Sequence, residues 1–235
     1  AAADCPMRPA SPKTEPRGGA RSSRTAPLRC NPTAVTEFSS SDIAWAECSG
    51  RFVFLDIAED RYFQLPAPRE EAFRAQVKGQ DWYQPTAFPR PPEWTRPRIV
   101  SSEIHEGPFR LARVSAAIWT QRRIERRIAT RSFREVLLEL KRLKGPLVTS
   151  DTSDTERAIE LRAFEHARLL RSAADRCLPR SIALALRLAR RRIHAHIVIG
   201  VRSDPFGAHC WVQHGEAVLN DTAEEVLRYT PILVV

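Results

Sequence analysis

Residues 177–221 read CLPRSIALALRLARRRIHAHIVIGVRSDPFGAHCWVQHGEAVLND. In the first third, Leu178, Ile182, Leu184, Ala185 and Leu188 recur at helical spacing and predict a helix over about 177–192. Three β-prone runs follow, at 195–201 (AHIVIGV), 209–213 (HCWVQ) and 216–221 (EAVLND). The first is apolar on both faces, as an interior strand should be. A helix followed by an antiparallel sheet predicts an α+β domain.

Cys177-Leu178-Pro179 puts a thiol at the mouth of the helix, because proline is favoured in the opening turn. The positive end of the helix dipole lowers the pKa of such a thiol, and the unbonded N–H groups of that turn can receive an oxyanion. A thiolate nucleophile needs a base, and the base needs an orienting group. Centring the hairpin on Gly215 pairs 213 with 217, 211 with 219 and 209 with 221. His209 and Asp221 then face each other with Cβ atoms about 4.5–5.5 Å apart. In that register His209, Trp211, Leu219 and Asp221 share one face, and Cys210, Val212, Val218 and Asn220 the other. Singly, each residue has a bland reading: Cys177 as a small buried hydrophobe, His209 as a hydrogen-bonded core histidine, Asp221 as the cap of a helix at 222–227. Together they supply a nucleophile, a base and an orienter in one hairpin-and-helix unit.

The same stretch closely resembles the processing (B) proteins of lasso-peptide biosynthesis, which belong to the transglutaminase-like, papain-related superfamily. The resemblance rests on the CLPRS-x-AL start, the VIGVR strand, the PF-x-AH-x-W block and the terminal Asn220-Asp221, with 32 residues from Cys177 to His209 and 12 from His209 to Asp221. It implies a leader peptidase: Cys177 attacks the bond joining leader to core in a ribosomally made precursor, His209 acts as base and then acid, and Asp221 orients it. The implied partners are the precursor's leader region and an ATP-dependent, asparagine-synthetase-like cyclase; no cofactor is implied. Cys210 departs from the small residue most relatives carry, and it is expected to be structural. A transglutaminase-like acyltransferase is the alternative within the same fold.

Upstream, residues 42–48 (DIAWAEC), 51–57 (RFVFLDI) and 61–65 (RYFQL) predict three antiparallel strands, the first two joined by the two-residue turn Ser49-Gly50. A short helix is expected at 68–77, with Phe73 and Val77 on one face. This block is similar to the small PqqD-like, winged-helix-like domains that bind leader peptides by adding a strand to β3. Phe54, Arg61, Tyr62, Phe63 and Leu65 are the leader-binding residues so implied, although aromatics in a small sheet usually form its core. Residues 84–98 (QPTAFPRPPEWTRPR) hold five prolines and predict a stiff linker. Two arginine-rich helices are expected at 109–131 and 133–144, and a third at 155–174 with Ile159, Leu161, Phe164, Leu169 and Leu170 buried. The expected organisation is therefore a disordered, proline-rich tail (1–33), a recognition domain (34–83), a linker (84–98) and a cysteine-peptidase domain (99–235). Met7, the single methionine, is a candidate natural start.

The +9 formal charge of the 235-residue chain raises the question of nucleic acid. The excess sits at +4 in residues 1–33 and +8 in 109–144, whereas 34–108 carries −4. A groove-reading winged helix should itself be basic, so a non-enzymatic nucleic-acid module is disfavoured. The arginines at 122, 123, 126, 127 and 190–192 read as solvated faces. No apolar run approaches the roughly 18 residues of a membrane span, and no secretory pattern opens the chain. The five cysteines are odd in number and lack a CxxC pair, which points to reduced thiols and a cytoplasmic location. His194 and His196 share a strand face, and Cys210 and His214 another, but no compact four-ligand metal spacing appears.

Overall fold

The computed structural model describes residues 42–98, 109–143, 153–170 and 176–235. The expected tail at 1–33 and Met7 lie outside the described residues. Strand β1 (Ile43–Cys48) pairs antiparallel with β2 (Arg51–Asp56) from Ile43↔Asp56 to Cys48↔Arg51. Ser49 and Gly50 both take positive φ, the geometry a two-residue hairpin requires. After a turn in which the Asp56 carboxylate accepts the N–H groups of Ala58 and Glu59, β3 (Arg61–Phe63) pairs with β2. Pro66 precedes helix α1 (Ala67–Gln76), and the short β4 (Trp82–Tyr83) joins the far side of β1, giving the order β3-β2-β1-β4. Helix α1 is the one helix among the described residues 42–98, so the further helices of a winged-helix domain are not present in that stretch.

The two faces of this sheet are both apolar, but they differ in what covers them. Ile43, Trp45, Phe52, Phe54, Leu65 and Phe73 form an aromatic cluster under α1. Trp45 packs edge-on against Phe73 at 5.3 Å between ring centroids. Ala44, Ala46, Cys48, Val53, Leu55 and Ile57 point the other way, into a core shared with the C-terminal half.

Helices α2 (Leu111–Thr130), α3 (Phe133–Leu143), α4 (Ser153–Leu170) and α5 (Cys177–Arg190) follow. Helix α2 buries Val114, Ala117, Gln121 and Ile124, while Leu111 is exposed at its first turn. In α4 the buried stripe runs through Glu160, Leu161, Phe164 and Ala167. Leu169 falls off the 3.6-residue period of that stripe, and Leu170 is the last residue of the helix; both are exposed, against expectation. Strands β5 (His196–Ser203), β6 (Phe206–His214), β7 (Ala217–Val218) and β8 (Thr230–Val234) form a second antiparallel sheet, β7-β6-β5-β8, with the four-residue helix α6 (Ala223–Val226) between its last two strands. The interior placement of β5 matches its apolar character on both faces. The α+β class holds, with mixed helices and antiparallel sheets.

The proline-rich residues 84–98 do not hold two bodies apart. Their backbone is irregular, but Phe88 and Trp94 are buried, and the Gln84 side chain bonds both the N–H and the carbonyl of Val234 on β8. Trp94 Nε1 donates to Gln213 on β6 at 3.2 Å. Nearby, Trp82 Nε1 donates to the Ile232 carbonyl, and Ser203 Oγ on β5 donates to the Cys48 carbonyl. Proline removes backbone donors from this strap, and aromatic and amide side chains make the attachments in their place.

Candidate active site

Cys177 is the first residue of α5, with Arg176 preceding it as the N-cap and making no side-chain capping bond. Pro179 stands third in the helix rather than first, still within the turn whose N–H groups have no intrahelical acceptor. Cys177 is partly exposed, whereas Cys48 and Cys210 are buried and also unbridged. Burial raises the Cys48 thiol above its ordinary pKa, and its Sγ lies 3.6 Å from the Val201 carbonyl. Among the described cysteines, Cys177 alone combines partial exposure with a helix N-terminus. One turn further along the same face, Ser181 Oγ donates to the carbonyl of Cys210 at 2.8 Å. Helix α5 therefore packs on β6 at Cys210, the residue next to His209 in the chain.

His209 sits on β6, largely buried. Its Nε2 lies 2.8 Å from Asp221 Oδ2. A carboxylate only accepts, so Nε2 carries a hydrogen and Nδ1 is left as the basic nitrogen. The ring lies between Trp211 and Tyr229, at 6.2 and 5.1 Å between centroids. Gly200, the β5 partner of His209, makes this packing possible: a Cβ there would come within 2.8 Å of the Trp211 ring and of Tyr229.

The contact between His209 and Asp221 forms, but not through the expected register. The ladder pairs Gln213 with Val218 and His214 with Ala217 around a Gly215-Glu216 turn, one residue away from a hairpin centred on Gly215. In the true register Val218 faces the Trp211 side, and Leu219 packs with Cys177 into the main core, the reverse of the expected faces. Asp221 still reaches His209 because β7 ends at Val218 and residues 219–221 bend away. Asn220 secures the bend: its Oδ1 accepts the Val212 N–H at 2.7 Å and its Nδ2 donates to Ser181 Oγ at 2.8 Å. Arg180 donates to the Asn220 carbonyl. Burial lowers the Arg180 pKa and the neighbouring Asp221 raises it; the side chain stays a cation. Burial by itself would push the Asp221 carboxyl up. The hydrogen bond and charge of His209, the Thr222 N–H at 2.8 Å and Arg180 outweigh that and hold it below the usual aspartate range.

The roles of Arg180, Ser181 and Asn220 were missed from the sequence. The signal was there in part: Arg180 and Ser181 follow Cys177 within one turn, and Asn220 abuts Asp221. A cavity of about 210 Å³ opens beside Asp221, walled by Leu161, Phe164 and Leu184 and edged by Arg168, Arg180 and Glu165.

Of the residues expected to meet a leader peptide, Phe54 is fully buried, stacked on Phe63 at 5.1 Å, and Leu65 is buried in the same cluster. Both are core residues of the sheet, so a groove reading for them is corrected. Arg61 is exposed and Tyr62 and Phe63 are partly so, on the edge strand β3. Tyr62 also meets the exposed Phe206 of β6 at 5.7 Å.

A family model described as the transglutaminase-like superfamily matches residues 118–234. Over 45 residues, 19% of this chain, the sequence is 53% identical to the microcin J25-processing protein McjB of Escherichia coli, of which that stretch is 22%. The chain thus spans under a quarter of that relative's length in the match. No solved structure matches. No described helix is long and apolar enough to cross a membrane. The helix bearing Cys177, the strand bearing His209 and the bend bearing Asp221 all lie within residues 118–234, the segment similar to the transglutaminase-like superfamily.

Proposed function

We propose that the chain is a cysteine peptidase that removes the leader from a ribosomally made lasso-peptide precursor. The observation that carries the reading is the 2.8 Å contact from His209 Nε2 to Asp221, made on the strand against which α5, the helix that opens with Cys177, packs. His209 Nδ1 takes the proton of the Cys177 thiol, and the thiolate attacks the carbonyl carbon of the scissile bond. The first-turn N–H groups of α5 face the oxyanion. The imidazolium, steadied by Asp221, then gives its proton to the departing core amine, and water resolves the thioester. The cavity beside Asp221 takes a substrate side chain next to the cut.

Leader recognition falls to the first sheet. Strand β3 is the edge strand of its sheet, and an extended peptide adding there would lie along Arg61, Tyr62 and Phe63. The match to a microcin-processing protein supports a role in lasso-peptide biosynthesis; within that reading, an ATP-dependent cyclase consumes the freed core and the setting is cytoplasmic.

Incubation with a leader–core precursor, followed by mass spectrometry, tests this. The expected product is a core with a free N-terminal amine, and Cys177→Ala should abolish it while leaving leader binding intact. A new amide in place of the free amine would make the protein an acyltransferase instead, and cleavage by Cys177→Ala would remove the thiol mechanism altogether.

A further inference from the structure

His194 and His196 lie two residues apart at the entry to β5, on one face of the chain, with ring centroids 4.6 Å apart. Glu93, far upstream on the proline-rich strap, reaches the same point. Its Oε1 is 3.9 Å from His194 Nε2 and 3.5 Å from His196 Nε2, and one ligand atom from each residue falls within a 4.8 Å circle. Each leg of this triangle is anchored. His214 Nδ1 bonds the His194 carbonyl, His196 pairs with Gln213 in the β5–β6 ladder, and Trp94, next to Glu93, donates to the same Gln213.

We propose that Glu93, His194 and His196 form a binding site for a borderline divalent transition metal of the zinc type, which fastens the strap to β5. Two imidazoles and one carboxylate are the donor set such ions accept, at bond lengths of about 2.0–2.2 Å. Tetrahedral bonds of that length set neighbouring donors roughly 3.3–3.5 Å apart. The His196–Glu93 edge already meets this, and rotation of the half-exposed Glu93 and the partly exposed His194 side chains closes the other two edges. His196 is nearly buried, so the ion sits with its protein ligands inward and an open position toward solvent, which water fills. The site is separate from the Cys177 centre, and the inference does not depend on the peptidase reading.

The test is equilibrium dialysis of the full chain, without a histidine tag, against zinc, with parallel thermal melts and cobalt(II) spectra. One zinc per chain should bind in the wild type and in Cys177→Ser, with a raised Tm. Binding should weaken by at least roughly 10–100-fold in His194→Ala, His196→Ala and Glu93→Gln. The cobalt form should show d–d bands without thiolate charge transfer. Zinc retained by the histidine variants but lost in Cys177→Ser would overturn the proposal, as would a wild type that binds no metal yet is destabilised by Glu93→Gln, since Glu93 would then be a plain ion-pair partner of the histidines. Circular dichroism on each variant separates loss of ligands from loss of fold.

Discussion

Asp221 precedes a helix and could have been spent on capping it, but Thr222 does that job, its hydroxyl accepting the Glu225 N–H at 3.2 Å. The carboxylate is thereby left for His209. Asp221→Asn should lower kcat by roughly 10²–10⁴-fold while keeping activity above that of Cys177→Ala, because an amide can present the wrong hydrogen-bonding partner to the imidazole without removing the nucleophile. The same pair affects stability with a definite sign. Since the Asp221 carboxyl is lowered in the folded state, its contribution is complete above the unfolded aspartate pKa of about 3.9 and is lost as pH falls through the lower folded value. Melts of wild type and Asp221→Asn should therefore differ by a constant Tm gap from neutrality to about pH 4, and the gap should close below it. At this scale the sequence was most informative, because helix mouth, strand and turn residues each carry local chemistry. Burial, by contrast, depends on distant partners: composition favoured a core role for the sheet aromatics, as Phe54 shows, but could not separate buried Phe54 from half-exposed Tyr62 and Phe63.

The hairpin and the helix behind it show what spacing alone can and cannot specify. Alternation along β6 correctly set His209 and Trp211 on one face, but the register depends on whether the turn has one residue or two, a choice of one amide step. The Asn220 side chain substitutes for the lost ladder by bonding Val212 N–H and Ser181. Asn220→Ala leaves those buried groups unmatched and frees the bend, at a cost of about 1–3 kcal/mol in unfolding free energy, and turnover should fall with KM little changed. Chemical denaturation and steady-state kinetics check both. Two strands were not legible at all. Strand β4 is two residues long and shows no period. Strand β8 contains Pro231, which ordinarily argues against a strand; it is accommodated where the β5–β8 register shifts beside Gly200, at the sheet edge. The α2, α4 and α5 helices were legible from their apolar spacing.

Across the whole molecule, the elements that carry the site are tied by a buried charge. Glu160 of α4 is inaccessible to solvent and meets Arg113 of α2 at 3.0 Å, and Arg187 and Arg191 at the end of α5 at 2.5 and 2.7 Å. Glu160→Ala removes the one acceptor common to three guanidinium groups, of which Arg187 is nearly buried, and should cost about 3–5 kcal/mol in unfolding free energy by denaturant titration. The sequence showed abundant arginine but not this convergence, because Glu160 is a single acid in a charged helix. Nor did it show that the proline-rich strap is packed, since its attachments are made by isolated Gln84, Phe88 and Trp94 side chains with no period. The central claim is that Cys177, His209 and Asp221, from three elements, act as one unit. Its most direct test is the pH dependence of iodoacetamide alkylation at Cys177, followed by peptide mapping. In the wild type, Cys177 should react ahead of Cys48 and Cys210, with a rate that stays high well below the ordinary thiol pKa of about 8.5, and His209→Ala should shift that profile up to a single step near it. A Cys177 profile unchanged by His209→Ala would contradict the unit.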